Sequence, residues 1–329
     1  MATTTREVVV AQAVRTALLE EMRRDQRVFI MGEDIGVYGG VYGVTKGFLQ
    51  EFGEERVRDT PISEAALVAM TIGAAMVGMR PVVEIMYSDF TATAMDAIVN
   101  NAAKWRYMSG GQFELPLVIR TPAGGGVGYG AQHSQCPEAW FAHVPGLKVI
   151  MPATPADMRG LLKSAIRDPN PVLFLEHKAM YDFKGPMAAE EYLTPIGVAD
   201  IKREGSDVTL VSWSKTLWDS LEAAERLAAE GISVEVVDPR TIQPLDSEAI
   251  IDSVRKTGRL VVAHEAVWFG GFGGEIVAQI TATCFRDLKA APARVGAKFV
   301  PQPFSPPLEQ YVLPSIDDIV AAVKGVLAS

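Results

Sequence analysis

Short apolar runs alternate along almost the whole chain with longer stretches whose apolar residues recur every three to four positions. Residues 27–31, 81–86, 115–120, 147–151 and 171–175 read as strands, and 8–22, 63–79, 89–105 and 155–167 as helices. Strands that are apolar at nearly every position belong to sheets covered on both faces, and helical connections between them make parallel crossovers. The chain is therefore expected to be α/β with parallel sheets. Thr154-Pro155 offers one helix an N-cap oxygen and a first-turn proline. A second series repeats the pattern, with strands at 207–213, 233–238 and 259–264 and helices at 214–230, 246–256, 274–284 and 316–327. Gly231 stands where the first of these helices needs a left-handed C-cap. Between the two series, residues 181–195 hold Gly185, Pro186, Pro195 and the adjacent Glu190 and Glu191, with weak periodicity. The division expected is a domain at 1–185, a linker at 186–199 and a smaller domain at 200–329. A chain of 329 residues is long enough for two such cores.

Charge and cysteine usage exclude several classes. With 31 Lys and Arg against 40 Asp and Glu the net charge is −9, and no basic block occurs. Such a chain suits neither nucleic acid nor an anionic membrane surface. Cys136 and Cys284 are too few and too distant for a disulfide framework or a cysteine-built zinc site, and they fit a reducing compartment. The most apolar uncharged run, residues 65–79, is shorter than the roughly 18–20 residues that span a bilayer. Residues 1–7 carry neither an apolar signal core nor an Arg-rich presequence, so a cytoplasmic protein is expected.

Four places could carry chemistry. The glycines of residues 124–130 suggest a phosphate loop, but no Gly-Lys-Ser/Thr follows. Gly126-x-Gly128-x-x-Ala131 fits a dinucleotide pattern only loosely, and the next strand ends in no acidic residue. The alternatives are a flexible loop or a backbone that must pass close to something. His133 follows, either a proton-exchanging imidazole or a loop histidine bonded locally. Glu64, behind the potential cap Ser63, opens an apolar helix that is expected to be buried. Its carboxylate either serves the helix dipole or, partly desolvated, binds a ligand. Glu33 and Asp34 lie just beyond a strand's carboxyl end, where open parallel sheets bind ligands, or else form an acidic turn. No HExxH, GxSxG or cysteine nucleophile motif is present.

Six motifs occur in order: Met31-Gly32-Glu33-Asp34, Asp59-Thr60-Pro61-Ile62-Ser63-Glu64, Tyr107-Met108-Ser109-Gly110-Gly111, Ala131-Gln132-His133-Ser134-Gln135, Pro145-Gly146-Leu147-Lys148-Val149 and Ser164-Ala165-Ile166-Arg167-Asp168. With Pro239-Arg240-Thr241-Ile242-x-Pro244-Leu245 in the second half, they resemble the beta subunits of the thiamine-diphosphate-dependent decarboxylating component of 2-oxo acid dehydrogenase complexes, a group that includes acetoin dehydrogenases. The resemblance covers nearly the whole chain. It implies a transketolase-like fold, with a pyrimidine-binding domain followed by a smaller α/β C-terminal domain. It also implies that Glu64 hydrogen-bonds the cofactor's pyrimidine nitrogen, flanked by Ile62 and Ser63. Glu33 would be an acid near the cofactor, and Met86 and Phe90 would pack on the ring, although ordinary core would explain both equally. His133 would serve acyl transfer to a lipoyl group. Leu117, Ala165, Ile166, Asp168 and Asn170 match a structural potassium site of some members.

No Gly-Asp-Gly, the motif behind the magnesium-diphosphate site in this fold, occurs in the chain. The resemblance implies that an alpha subunit supplies it within an α2β2 heterotetramer serving a lipoyl-bearing acyltransferase core. The activity implied is oxidative decarboxylation of pyruvate or a branched-chain 2-oxo acid. The alternatives are acetoin cleavage, a half-transketolase, or a noncatalytic partner-binding subunit.

Overall fold

The structure, a computed structural model, describes residues 5–329, so the leader reading of residues 1–7 falls mostly outside it. The chain forms two compact units. One runs to Ala123 and resumes at Trp140–Ile196; the other comprises Gly124–Ala139 and Gly197–Ser329. By its contacts, segment Gly124–Ala139 groups with the second unit, whose carboxylates accept hydrogen bonds from its amides, although in sequence it lies within the domain expected at 1–185.

In the first unit six strands are ordered Lys148–Ile150, Val172–His177, Val118–Ala123, Arg80–Glu84, Val28–Gly32 and Val57–Asp59, and every neighbouring pair is parallel. The two longest, Val118–Ala123 and Val172–His177, are buried at every position, as two-sided cover requires. Helices Val10–Arg24 and Pro155–Arg167 pack against each other. The second starts where Thr154 Oγ1 accepts the Asp157 amide at 3.1 Å. Two readings need correction. The stretch taken as linker contains strand Lys184–Ala188, antiparallel to Thr5–Val9, and Pro186 is tolerated on this two-stranded ribbon. The helix expected over 89–105 is broken into a 3-10 turn Ser88–Ala92, a π turn Ala97–Ala102 and an α turn Trp105–Met108. Asp96 explains part of this. Its carboxylate accepts from Asn100 and Asn101, at 2.7 and 3.2 Å, and such side chains compete with helical backbone bonding.

In the second unit the strand order is Ala293–Ala297, Leu260–Val267, Val208–Ser212, Val234–Asp238 and Asp200–Arg203; only the last is antiparallel to its neighbour. Helix Lys215–Ala228 ends before Gly231, whose φ is +81°. Asp246 caps Ser247–Thr257, and Ser315 with Asp318 forms a capping box on Ile316–Ala328. Among the described residues no helix is long and apolar enough to cross a membrane.

Candidate active site

The site of the first unit follows from register. Gly32 pairs with Asp59 on one side and Glu84 on the other, so three parallel strands end side by side. Ligands of such sheets bind at carboxyl ends. A Cβ on Gly32 would lie 2.8 Å from Glu84 O, so only glycine lets these ends close up. The loop beyond Gly32 is tied down by Asp59, which accepts the Gly36 amide at 2.6 Å and the Val37 amide at 3.2 Å.

Two glutamates emerge here with hydrogen-bonding capacity unused. Glu64 is the first residue of helix Glu64–Met76 and is 8% exposed. Ser63, read as a cap, makes no side-chain cap bond. The donor to Glu64 is the Thr93 hydroxyl, 3.2 Å from Oε2, and that same hydroxyl is 2.7 Å from Phe90 O. One hydroxyl proton cannot serve both, and the carbonyl is nearer. Glu33 is 7% exposed, and its Oε1 has no hydrogen-bond partner. Burial pushes the Glu33 carboxyl up, reinforced by the negative charges of Glu64, Asp34 and Glu84. The two predicted carboxylates therefore share one electrostatic environment.

Met86 and Phe90 are half-buried just beyond strand Arg80–Glu84, and Phe90 meets Tyr87 edge to face at 5.8 Å. Ile62 is 79% exposed. Helix Glu64–Met76 is not covered all round as expected. Leu67, Val68, Thr71, Ile72 and Ala75 are buried, whereas Ala65, Ala66, Ala69, Met70 and Gly73 form an exposed small-residue face.

Sequence reasoning missed the ion cluster beneath this site. Arg120 forks onto Glu176, at 2.8 and 2.7 Å, and also bonds Glu84; Tyr181 Oη donates to Glu176 at 2.6 Å. One cation between two carboxylates leaves negative charge in excess. Burial raises the Glu84 carboxyl above the usual carboxylate range despite Arg120, and Tyr181 is pushed well above the ordinary phenol value. The signal was available: Glu84 interrupts the apolar run 81–86, and Arg120 and Glu176 directly follow the apolar runs 115–119 and 171–175.

His133 belongs to the second unit, in the segment that carries the glycine-rich loop. The amides a nucleotide phosphate would use are spent elsewhere. Gly125 N donates to Glu265 Oε1 at 2.6 Å, and Gly126 and Gly128 donate to Glu309 Oε1 and Oε2 at 2.8 and 2.9 Å. The loop backbone passes close to the acids of its own unit.

The five residues matched to potassium also lie in the first unit. Leu117 O accepts the Val172 amide at 2.8 Å and Ala165 O the Asp168 amide at 3.2 Å. Arg80 Nη1 donates to Ile166 O and Asp168 O at 2.7 and 3.3 Å. Asn170 Oδ1 accepts from Arg106 at 2.6 Å, and Asp168 bonds Lys148 and Asn170. No group of three or more His, Cys, Asp or Glu side chains among the described residues could hold a metal.

Comparison with known proteins gives a transketolase-like fold of two domains. Residues 6–184 match the transketolase pyrimidine-binding domain and residues 197–319 the transketolase C-terminal domain. The chain is 49% identical to a mitochondrial pyruvate dehydrogenase E1 component subunit beta-1 of Arabidopsis thaliana, over 97% of this chain and 89% of that protein. It is 46% identical to a 2-oxoisovalerate dehydrogenase subunit beta of Bacillus subtilis, over 95% of this chain and 96% of that protein. A solved structure described as a split gene transketolase, inactive beta4 tetramer, superposes with a TM-score of 0.78 at 25% identity, covering 98% of this chain and 99% of that one.

Proposed function

We propose, for a chain that belongs to the transketolase-like family of E1 component beta subunits of 2-oxo acid dehydrogenase complexes, that its first unit holds the pyrimidine end of thiamine diphosphate through Glu64. The observation that carries this reading is Glu64 itself, a buried carboxylate at the ends of three strands whose one donor is better placed on a carbonyl. Charge-assisted bonds to such a group are short and strong, so a ring nitrogen is a fitting partner. When bound, the cofactor supplies the electron sink for loss of CO2 from a 2-oxo acid. Met86 and Phe90 would flank its ring, with Ile62 and Ser63 at the rim. Glu33, its carboxyl raised by burial and by the charge of Glu64, would be an acid near the cofactor. His133 is assigned to acyl transfer onto a lipoyl group. Pyruvate or a branched-chain 2-oxo acid is the substrate, following the relatives' names. Acetoin cleavage has no separate support.

An alpha subunit is the proposed source of the magnesium-diphosphate site, because no Gly-Asp-Gly occurs in residues 1–329. The small-residue face of helix Glu64–Met76, with Ile62 and Val77 79% and 80% exposed at its ends, is of the kind that obligate partners cover. An α2β2 assembly on a lipoyl-bearing acyltransferase core completes the proposal, in the cytoplasm, where the thiols of Cys136 and Cys284 would stay reduced. For potassium the proposal is a weakly held structural ion. The matched oxygens have only second lone pairs to offer, and Arg80 already brings a positive charge to two of them.

The test is decarboxylation of pyruvate and of branched-chain 2-oxo acids by this chain reconstituted with its alpha subunit. Glu64→Gln should lose about 10²–10⁴-fold in kcat while keeping its circular dichroism. Full activity of Glu64→Gln would sink the assignment and revive the noncatalytic reading.

A further inference from the structure

We propose that Glu309 is a positioning residue for His133, acting through the glycine-rich loop; this rests on the reading of His133 as the acyl-transfer histidine. Gly124, Gly126, Gly128 and Gly130 all have left-handed φ, between +73° and +87°. Alternating left-handed residues make a backbone concavity that receives an anion. Here the anion is internal. Glu309, 2% exposed on helix Pro306–Val312, puts one oxygen on the Gly126 amide and the other on the Gly128 amide, at 2.8 and 2.9 Å. Glu265 adds the Gly125 amide at 2.6 Å. A Cβ on Gly125 would stand 3.3 Å from Glu309 Oε1, and one on Gly130 would stand 3.6 Å from the Phe304 ring. The loop therefore lies along the 304–309 segment up to the turn where the His133 amide meets Gly130 O at 3.4 Å.

Both oxygens of the Glu309 side chain are needed as acceptors. A glutamine would present one oxygen and one NH2, so one glycine N–H would face another donor. The loop would stay covalently intact but lose its anchors at Gly126 and Gly128, upstream of His133 on the same segment. Misplacement of a reacting group by about 1 Å can cost 10²-fold. The effect should fall on the step His133 serves and spare the step Glu64 serves, since Glu64 belongs to the other unit.

The experiment uses the reconstituted alpha–beta holoenzyme with wild-type chain, Glu309→Gln, Glu309→Asp and His133→Ala. Two rates are read: 2-oxo acid decarboxylation with an artificial oxidant, and acylation of a lipoyl domain. Glu309→Gln should keep the first within about twofold and lose about 10–100-fold in kcat of the second at unchanged KM, as His133→Ala should. Glu309→Asp, with both oxygens retained, should recover part of the loss. An equal fall in both rates, or none, would overturn the proposal. Amide hydrogen exchange on the wild-type holoenzyme covers a variant that fails to fold and an enzyme that shows neither activity. Slow exchange at Gly126 and Gly128 upholds the clamp, whereas exchange as fast as in an open loop refutes it. Wild-type inactivity toward 2-oxo acids with slow exchange at those amides would refute the functional reading and leave the clamp standing.

Discussion

Glu64 and Glu309 are both buried glutamates, one in each unit, and their surroundings treat them oppositely. Glu64 has a single donor at 3.2 Å, shared with a carbonyl, whereas Glu309 takes two glycine amides at 2.8 and 2.9 Å. Neighbouring Glu33 has an oxygen with no partner, and neighbouring Glu265 accepts Gly125 N at 2.6 Å. A buried polar group that is fully bonded rigidifies its surroundings, while one left incomplete carries a cost that a ligand can relieve. The first unit therefore leaves buried acceptor capacity unused, and the second uses the same side chain as a fastening.

The contrast can be broken most forcefully at Arg120. Removing the cation with Arg120→Met strands Glu84 and Glu176 in the core, and loss of one partner of a buried pair typically costs about 3–5 kcal/mol. Urea unfolding of the full chain should show a loss of that size in the transition of the first unit. A loss below about 1 kcal/mol would mean that the cluster is not what holds the strand ends together.

An effect spread over several pH units is expected at Glu138, the exception in the second unit. It is fully buried, neither oxygen has a partner of good geometry, and burial, helped by Glu265, raises its carboxyl to about 8. The folded form holds a proton that the unfolded chain releases near 4.5, so its contribution is fully present below 4.5 and lost as pH rises to about 8. Melting of the wild type should decline across that window, by up to about 1.4 kcal/mol per pH unit. Glu138→Gln should flatten the decline, and an unchanged slope would contradict the assignment.

Glu33→Gln sharpens the comparison more gently. The folded-state carboxyl is raised, so the wild type loses stability as pH climbs above the ordinary carboxylate range. The amide should therefore gain on the wild type between acidic and mildly alkaline pH. A gain that is the same at every pH would show that only shape matters. The smallest effect is expected from potassium. Replacing sodium by potassium should leave the melting midpoint unresolved from its starting value, because Arg80 already serves Ile166 O and Asp168 O. A rise of about 2.7 kcal/mol in stability, as for an ion at a hundred times its Kd, would instead demonstrate a built site.

Periodicity made most of the parallel strands and their helices readable, because strands buried at all positions leave continuous apolar runs such as 171–175. Strand Lys184–Ala188 was hidden, since Gly185 and Pro186 read as loop until Thr5–Val9 pairs with them. The edge strands Asp200–Arg203 and Ala293–Ala297 were hidden for a related reason: each mixes polar with apolar residues. Glu33 and Glu64 were legible from their places at a strand end and a helix start. Thr93 was not, because its relation to Glu64 comes from the broken helix after Ser88. The ownership of residues 124–139 by the second unit was equally out of reach, since Glu309 lies 183 residues from Gly126.

The most direct measurement is calorimetric titration of magnesium thiamine diphosphate into this chain alone, and then into this chain mixed with its alpha subunit. Saturable heat in the mixture and none for the chain alone is the expected result, with Glu64→Gln weakening the binding in the mixture. Tight binding by the chain alone would contradict the account, because its residues would then supply the diphosphate site assigned here to the partner.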